Sequence, residues 1–195
     1  TNISNETKEN HWKTNKTNKT YVFGCLWPKN QRKLKQNQYF QWKAKENLSN
    51  LYIGSEVYLA GIGHLIGNIK KDNLSNIKII NGDVRCFLEE VKQPLFDEIV
   101  IICPDPWPKL KHHKRRMIND EFLKLIYPTI KANGNLYIST DWENYAESIN
   151  EVLKKSKIFV NKNLVSNTVS MPTKFQKKAI TEGRKIFSFK VKKKW

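Results

Sequence analysis

The sequence predicts an open α/β fold built on a mostly parallel sheet. Three observations carry that expectation. Short β-branched runs alternate with helical segments along most of the chain. The densest run, Phe96-Asp97-Glu98-Ile99-Val100-Ile101-Ile102, has the apolar content of a strand buried on both faces. Acidic residues close four of the strand candidates in phase: Glu56, Asp83, Asp105 and Asp141. That spacing sets four carboxylates along one sheet edge, where open α/β folds bind ligands.

Taken in order, residues 1–20 are polar and repetitive, with almost no apolar positions, and are expected to form a disordered arm. Residues 21–195 are expected to form a single domain. Tyr21-Val22-Phe23-Gly24-Cys25 is short and β-prone. Residues 51–54 read as a strand ending at Ser55-Glu56. Residues 60–71 read as a helix with Ile62, Leu65, Ile66 and Ile69 on its apolar side. A second strand, 77–80, runs into Asn81-Gly82-Asp83, and a short helix follows over 84–91. The third strand covers 98–103. Residues 119–130 suit a helix, with Phe122, Leu123 and Ile126 on one face and Asp120-Glu121 in its first turn. Lys131-Ala132-Asn133-Gly134 reads as a turn, 135–139 as a strand, 142–156 as a helix and 185–192 as a last strand.

The chain has 195 residues, enough for one domain with a real core. No apolar run approaches the ~18–20 residues of a membrane-spanning helix. No secretory apolar region stands near the N-terminus. The three cysteines lack metal-ligand spacing and suit free thiols in a reducing cytoplasm. Cys103, behind an apolar strand, reads as a buried strand-end residue rather than a nucleophile. The net charge of +17 points to a nucleic-acid partner. Lysine is abundant everywhere in this Lys-, Asn- and Ile-rich chain, so the local cluster at 109–116 carries more weight than the total.

That cluster follows the most informative segment, Cys103-Pro104-Asp105-Pro106-Trp107-Pro108-Lys109. Proline on both sides of Asp105 restricts the backbone and holds the carboxylate on a stiff loop just past a strand. Cations immediately beyond it suit a polyanion lying across the same edge. Pro104-Asp105-Pro106-Trp107-Pro108-Lys109, followed by His112-His113-Lys114-Arg115-Arg116, resembles the signature of the bacterial tRNA (guanine-N7)-methyltransferase family.

The resemblance implies a Rossmann-like class I methyltransferase sheet with flanking helices. It also implies S-adenosyl-L-methionine as methyl donor, no metal, tRNA as partner, and a cytoplasmic protein away from membranes; the oligomeric state stays open, with a monomer favoured. The reaction implied is methyl transfer to N7 of a guanine, expected at position 46 of the tRNA. Tyr52-Ile53-Gly54-Ser55-Glu56 resembles the segment whose acid binds the ribose of the cofactor, and Asn81-Gly82-Asp83 the segment on its adenine side. Asp105 matches the signature aspartate near the reacting centre, and is implied in both catalysis and cofactor binding. Lys109 matches a residue assigned to tRNA. Ser139-Thr140-Asp141-Trp142 resembles a substrate-contacting segment, with Asp141 as its acid. Thr173-Lys174-Phe175-Gln176 resembles a C-terminal substrate motif in which Gln176 stands where the family has glutamate. Bland alternatives stay open: Glu56, Asp83 and Asp141 as helix caps or first-turn acids, Trp107 as core, Lys174 as solvated surface.

The resemblance breaks before Gln38. The family's first strand ends in a Gly-rich loop that admits the methionine part of the cofactor, and no such loop occurs here. The first strand is therefore expected to be missing or replaced, with residues 21–25 available to fill the gap. Three readings follow: a shortened but working enzyme, a tRNA-binding relic with impaired or lost catalysis, or a decaying gene product that folds poorly.

Overall fold

The computed structural model describes residues 19–24, 37–164, 181, 183 and 185–194. Its strands are β1 (Thr20–Gly24), β2 (Leu51–Glu56), β3 (Ile77–Asn81), β4 (Phe96–Ile102), β5 (Ile130–Thr140), β6 (Phe159–Leu164) and β7 (Phe187–Lys193). Its helices are α1 (Asn37–Glu46), α2 (Leu59–Lys71), α3 (Val84–Glu90), α4 (Asp120–Ile126) and α5 (Glu143–Lys155), with 3-10 turns at Leu110–Arg115 and Tyr127–Thr129.

The strands form one sheet in the order β3-β2-β1-β4-β5-β7-β6. Strands β1 to β5 run parallel, and β7 is antiparallel to both of its neighbours. The expected gap at the first strand is filled. β1 lies at the centre, with Val22 opposite Ile53 on one side and Ile99 on the other. Its first residue, Thr20, is buried, and its backbone N–H donates to Asp97 Oδ2 at 2.7 Å. Its last, Gly24, has no room for a side chain, since a Cβ there would lie 2.7 Å from Ile101 and 2.8 Å from Val84.

Alternation along the central strands splits the core between two faces. Val22, Ile53, Ile99, Ile101, Leu136 and Ile138 point to the side covered by α3, α4 and α5. Phe23, Tyr52, Val100 and Ile102 point to the opposite side, where Phe40 and Ala44 of α1 and Leu65 of α2 meet them. Phe40 packs edge-on against Phe23, with ring centroids 5.1 Å apart. In α5 the buried set Tyr145, Ala146, Ile149 and Leu153 follows helical spacing and seats that helix on the sheet.

Two segments differ from expectation. The helix expected over 119–130 ends at Ile126, because Pro128 sits in a 3-10 turn and Ile130 already pairs with Phe96. The turn expected at 131–134 lies inside β5 as an irregularity. The register jumps from Phe96 opposite Ile130 to Glu98 opposite Asn135, and Asn133 takes a φ of 64°. Gly134 is required there, because a Cβ would come within 3.0 Å of the Asp97 carbonyl. Strand β6 has no counterpart in the sequence reading.

Candidate active site

Because β2, β3, β4 and β5 are parallel, the residues that follow them share one edge of the sheet. The acids stand in the order Asp83, Glu56, Asp105, Asp141, two on each side of β1.

Glu56 is the last residue of β2 and is only 2% exposed. Its Oε1 accepts from the backbone N–H groups of Val57 at 2.8 Å and Tyr58 at 2.9 Å. Its Oε2 is buried with no hydrogen-bond partner. Burial raises the carboxyl above its ordinary range, and the two backbone donors partly offset this. The Glu56 carbonyl accepts from Gly82 N–H at 2.9 Å, and Ser55 Oγ donates to the Gly82 carbonyl at 2.6 Å. The ends of β2 and β3 are thus tied together. Val57, Tyr58 and Leu59 follow Glu56 as exposed apolar residues, a feature the sequence reading did not single out.

Asp83 caps α3. Its Oδ1 accepts from the Arg85 N–H at 2.9 Å, and its Oδ2 pairs with an Arg85 guanidinium nitrogen at 2.6 Å. The Arg85 side chain holds the carboxyl below its ordinary range. The cap reading of Asp83 is therefore realised.

Asp105 is half-buried, in a loop bracketed by two non-glycine residues with left-handed backbone, Cys103 (φ 46°) and Trp107 (φ 44°). Such residues each cost about 1–3 kcal/mol and persist only where their surroundings hold them. Cys103 is buried, as expected of a strand-end residue, and its N–H donates to the Ser139 carbonyl at 2.8 Å. Trp107 is half-buried. It meets His112 edge-on at 5.8 Å and carries the Arg115 guanidinium at 5.0 Å from its ring centre.

The cationic cluster forms the 3-10 turn Leu110–Arg115, in which Lys111, Lys114 and Arg115 are exposed, as is Lys109 just before it. Arg116 differs from the exposed cations of the cluster. It turns inward and is 6% exposed. Its Nε donates to the Pro106 carbonyl at 3.0 Å, and Nη2 donates to Asn144 Oδ1 at 2.7 Å. The same Nη2 lies 3.0 Å from His113 Nε2. Arginine cannot accept, so that nitrogen of His113 is the acceptor.

Asp141 is half-buried after β5 and lines an open depression with Trp142, Glu143, Glu147 and Lys185. The Trp142 N–H donates to Thr140 Oγ1 at 3.3 Å. Lys109 thus follows Asp105 on the segment after β4, and Asp141 follows the neighbouring strand β5. Thr173, Lys174, Phe175 and Gln176 lie outside the described residues, as does Cys25.

Residues 38–189 match a family described as putative methyltransferase. The chain belongs to this methyltransferase family. A tRNA (guanine-N(7)-)-methyltransferase from Nitrosococcus oceani is 37% identical over 144 residues, covering 73% of this chain and 61% of that protein. The protein of the same name from Nitrosomonas europaea is 42% identical over 119 residues, covering 60% of this chain and 53% of that protein. The chain therefore spans little more than half the length of these curated relatives. A 30S ribosomal A1408 methyltransferase from an uncultured bacterium has a similar fold, with a TM-score of 0.65 at 21% identity, covering all of this chain and 96% of that one. The Rossmann-like sheet and membership of a methyltransferase family, both expected from the sequence, are borne out.

The methyltransferase family implies a sulfonium cofactor, and the Glu56 carboxylate fits one. A buried acceptor with one oxygen held by backbone and one left over suits a ribose diol. Among the described residues no group of three or more His, Cys, Asp or Glu could hold a metal ion. Among the same residues no helix is long and apolar enough to cross a membrane.

Proposed function

We propose that this chain transfers a methyl group from S-adenosyl-L-methionine to N7 of a guanine in tRNA. The observation that carries this reading is the pairing, on one sheet edge, of the unsatisfied buried oxygen of Glu56 with the proline-bound Asp105 and its flanking cations.

When bound, the cofactor supplies an electrophilic methyl group on a cationic sulfur. The chain's residues have a limited task, because guanine N7 offers a lone pair and carries no proton. Glu56 accepts from the ribose hydroxyls. Asp83, at the adenine side, is rigid through its cap. Asp105 orients the reacting groups and favours the positive charge that passes to the purine, without abstracting a proton. Lys109, Lys111, Lys114 and Arg115 hold tRNA phosphates, and Asp141 contacts the substrate beside them. Thr173, Lys174, Phe175 and Gln176 extend that contact. The reaction belongs in the cytoplasm, where tRNA is modified.

A second reading, a tRNA-binding relic, draws support from Gly24. It ends β1 as a lone glycine where the family's first strand runs into a Gly-rich loop. Calorimetric titration with S-adenosyl-L-methionine separates the two. Saturable binding that is lost in Glu56→Ala supports the enzyme, and methyl transfer to tRNA then completes the test. Absence of binding by a protein that melts cooperatively and still binds tRNA overturns the enzyme in favour of the relic.

A further inference from the structure

We propose that Arg116 is a positioning residue for methyl transfer, locking the loop that carries Asp105 to the first turn of α5. This rests on the function proposed above.

Arg116 ends a cationic run, yet it is the buried member of that run. Its hydrogen bonds join three segments: the Pro106 carbonyl in the Asp105 loop, His113 in the 3-10 turn, and Asn144 in α5. Its guanidinium also lies 4.9 Å from the ring centre of Tyr145, whose hydroxyl accepts from the Ile118 N–H at 3.0 Å. The Arg116 carbonyl in turn accepts from Asn119 Nδ2 at 3.3 Å, at the cap of α4. No carboxylate within salt-bridge distance pairs with it among the described residues. A guanidinium taken out of water without a counter-charge is costly, so attraction between opposite charges does not account for its burial.

Geometry does account for it. Pro106 adjoins Asp105, and Asn144 stands three residues after Asp141. The planar fork reaches the loop after β4 and the helix after β5 at once, which a lysine ammonium cannot imitate. The loop it grips holds left-handed Cys103 and Trp107, a backbone that relaxes unless held. Arg116 therefore fixes the relative placement of the two acids on the substrate side without facing the substrate.

The test compares Arg116→Ala with Lys114→Ala, an exposed cation of the same cluster, in methyl transfer to tRNA. Arg116→Ala is expected to lose about 10²-fold in kcat, the scale of a small misplacement, with KM for tRNA and cofactor affinity little changed. Added guanidinium should restore part of that loss, and Arg116→Lys should not. Lys114→Ala should instead raise KM with kcat retained. An Arg116→Ala variant that raises KM and leaves kcat intact would make Arg116 one more phosphate-binding cation, and the proposal would fail. Should Arg116→Ala not fold, Asn144→Ala removes one acceptor of the clamp, and a smaller loss of the same kind is required of it, about 10-fold in kcat with KM little changed. Hydrogen exchange over 103–107 gives a readout that needs no activity. Faster exchange in Arg116→Ala but not in Lys114→Ala, whose exposed side chain does not touch the loop, is expected. Equal protection would refute the clamp even if the wild-type chain transfers no methyl group.

Discussion

The two halves of the sheet edge are held by different means. On the β2–β3 side the site is made by backbone. Two N–H groups hold one oxygen of Glu56, carbonyl and amide bonds tie Glu56 to Gly82, and Asp83 closes its own helix. On the β4–β5 side the acids sit on loops, and side chains from distant positions hold those loops, Arg116 first among them. A backbone-built half suits a ligand of constant shape such as a nucleoside. A half built by long side chains, with exposed cations beside it, suits a large polyanion whose base must be admitted and aligned. Substitutions on the two sides should therefore separate into cofactor affinity and turnover.

The sharpest way to break this comparison is Asp105→Asn. If Asp105 acts on charge and alignment, the substitution should cost about 10²–10³-fold in kcat, the scale of losing one preorganised electrostatic contact. Calorimetry should find cofactor affinity reduced far less than by Glu56→Ala. An equal loss in both measurements would erase the functional boundary at β1.

Glu56 comes next. Glu56→Ala should weaken cofactor binding about 10- to 100-fold, as expected for removing a charged acceptor from a hydrogen-bonded site. Glu56→Gln sharpens the contrast through stability. Burial raises the folded-state pKa of Glu56. Its protonated form is thus favoured by folding, and that stability is lost as pH rises through the folded value. At neutral pH and without cofactor, Glu56→Gln should melt above the wild type. The difference should vanish in acid, where the wild-type carboxyl is protonated in both states. A thermal melt series across pH reads this directly.

Much of this division was readable in the residues, for identifiable reasons. β4 was plain because consecutive β-branched residues suit a strand buried on both faces, and four of its residues, Ile99 to Ile102, are indeed buried. The four acids were readable because each follows a strand in a parallel sheet. Arg116 was not, because nothing local distinguishes it from Arg115. Its partners Pro106 and Asn144 lie 10 and 28 residues away. Strand β6 was hidden because its pairing with β7 is non-local and its polar residues Asn161, Lys162 and Asn163 lack a strand's apolar pattern. The break inside β5 was half-visible: Asn133-Gly134 marks a turn, but only the pairing of Ile130 with Phe96 places that turn within a strand.

On the substrate side, exposed cations predict a smaller effect of a different kind. Arg115→Ala or Lys109→Ala should each reduce the slope of log affinity for tRNA against log salt by about 1, with a several-fold loss at low salt. Cofactor titrations should not respond. A salt slope unchanged by Arg115→Ala would mean that its place on the Trp107 ring, not phosphate contact, is what the residue does.

The smallest expected effect is also the most discriminating for the cofactor side. Asp83 caps α3 and pairs with Arg85, whose side chain is half exposed, so the ion pair itself adds little. The cap bond should dominate, and Asp83→Ala should cost about 1 kcal/mol of stability. Asp83→Asn keeps a cap acceptor and should cost less. The lowered pKa of Asp83 makes its contribution present above the ordinary aspartate range and lost as pH falls through the folded value. Denaturant melts at neutral and acid pH should therefore converge for wild type and Asp83→Asn in acid. If Asp83 serves only as a cap, Asp83→Asn leaves cofactor affinity unchanged. A weakening there, with the helix intact, would place a second acid of the β2–β3 side on the nucleoside and make that half a two-carboxylate site.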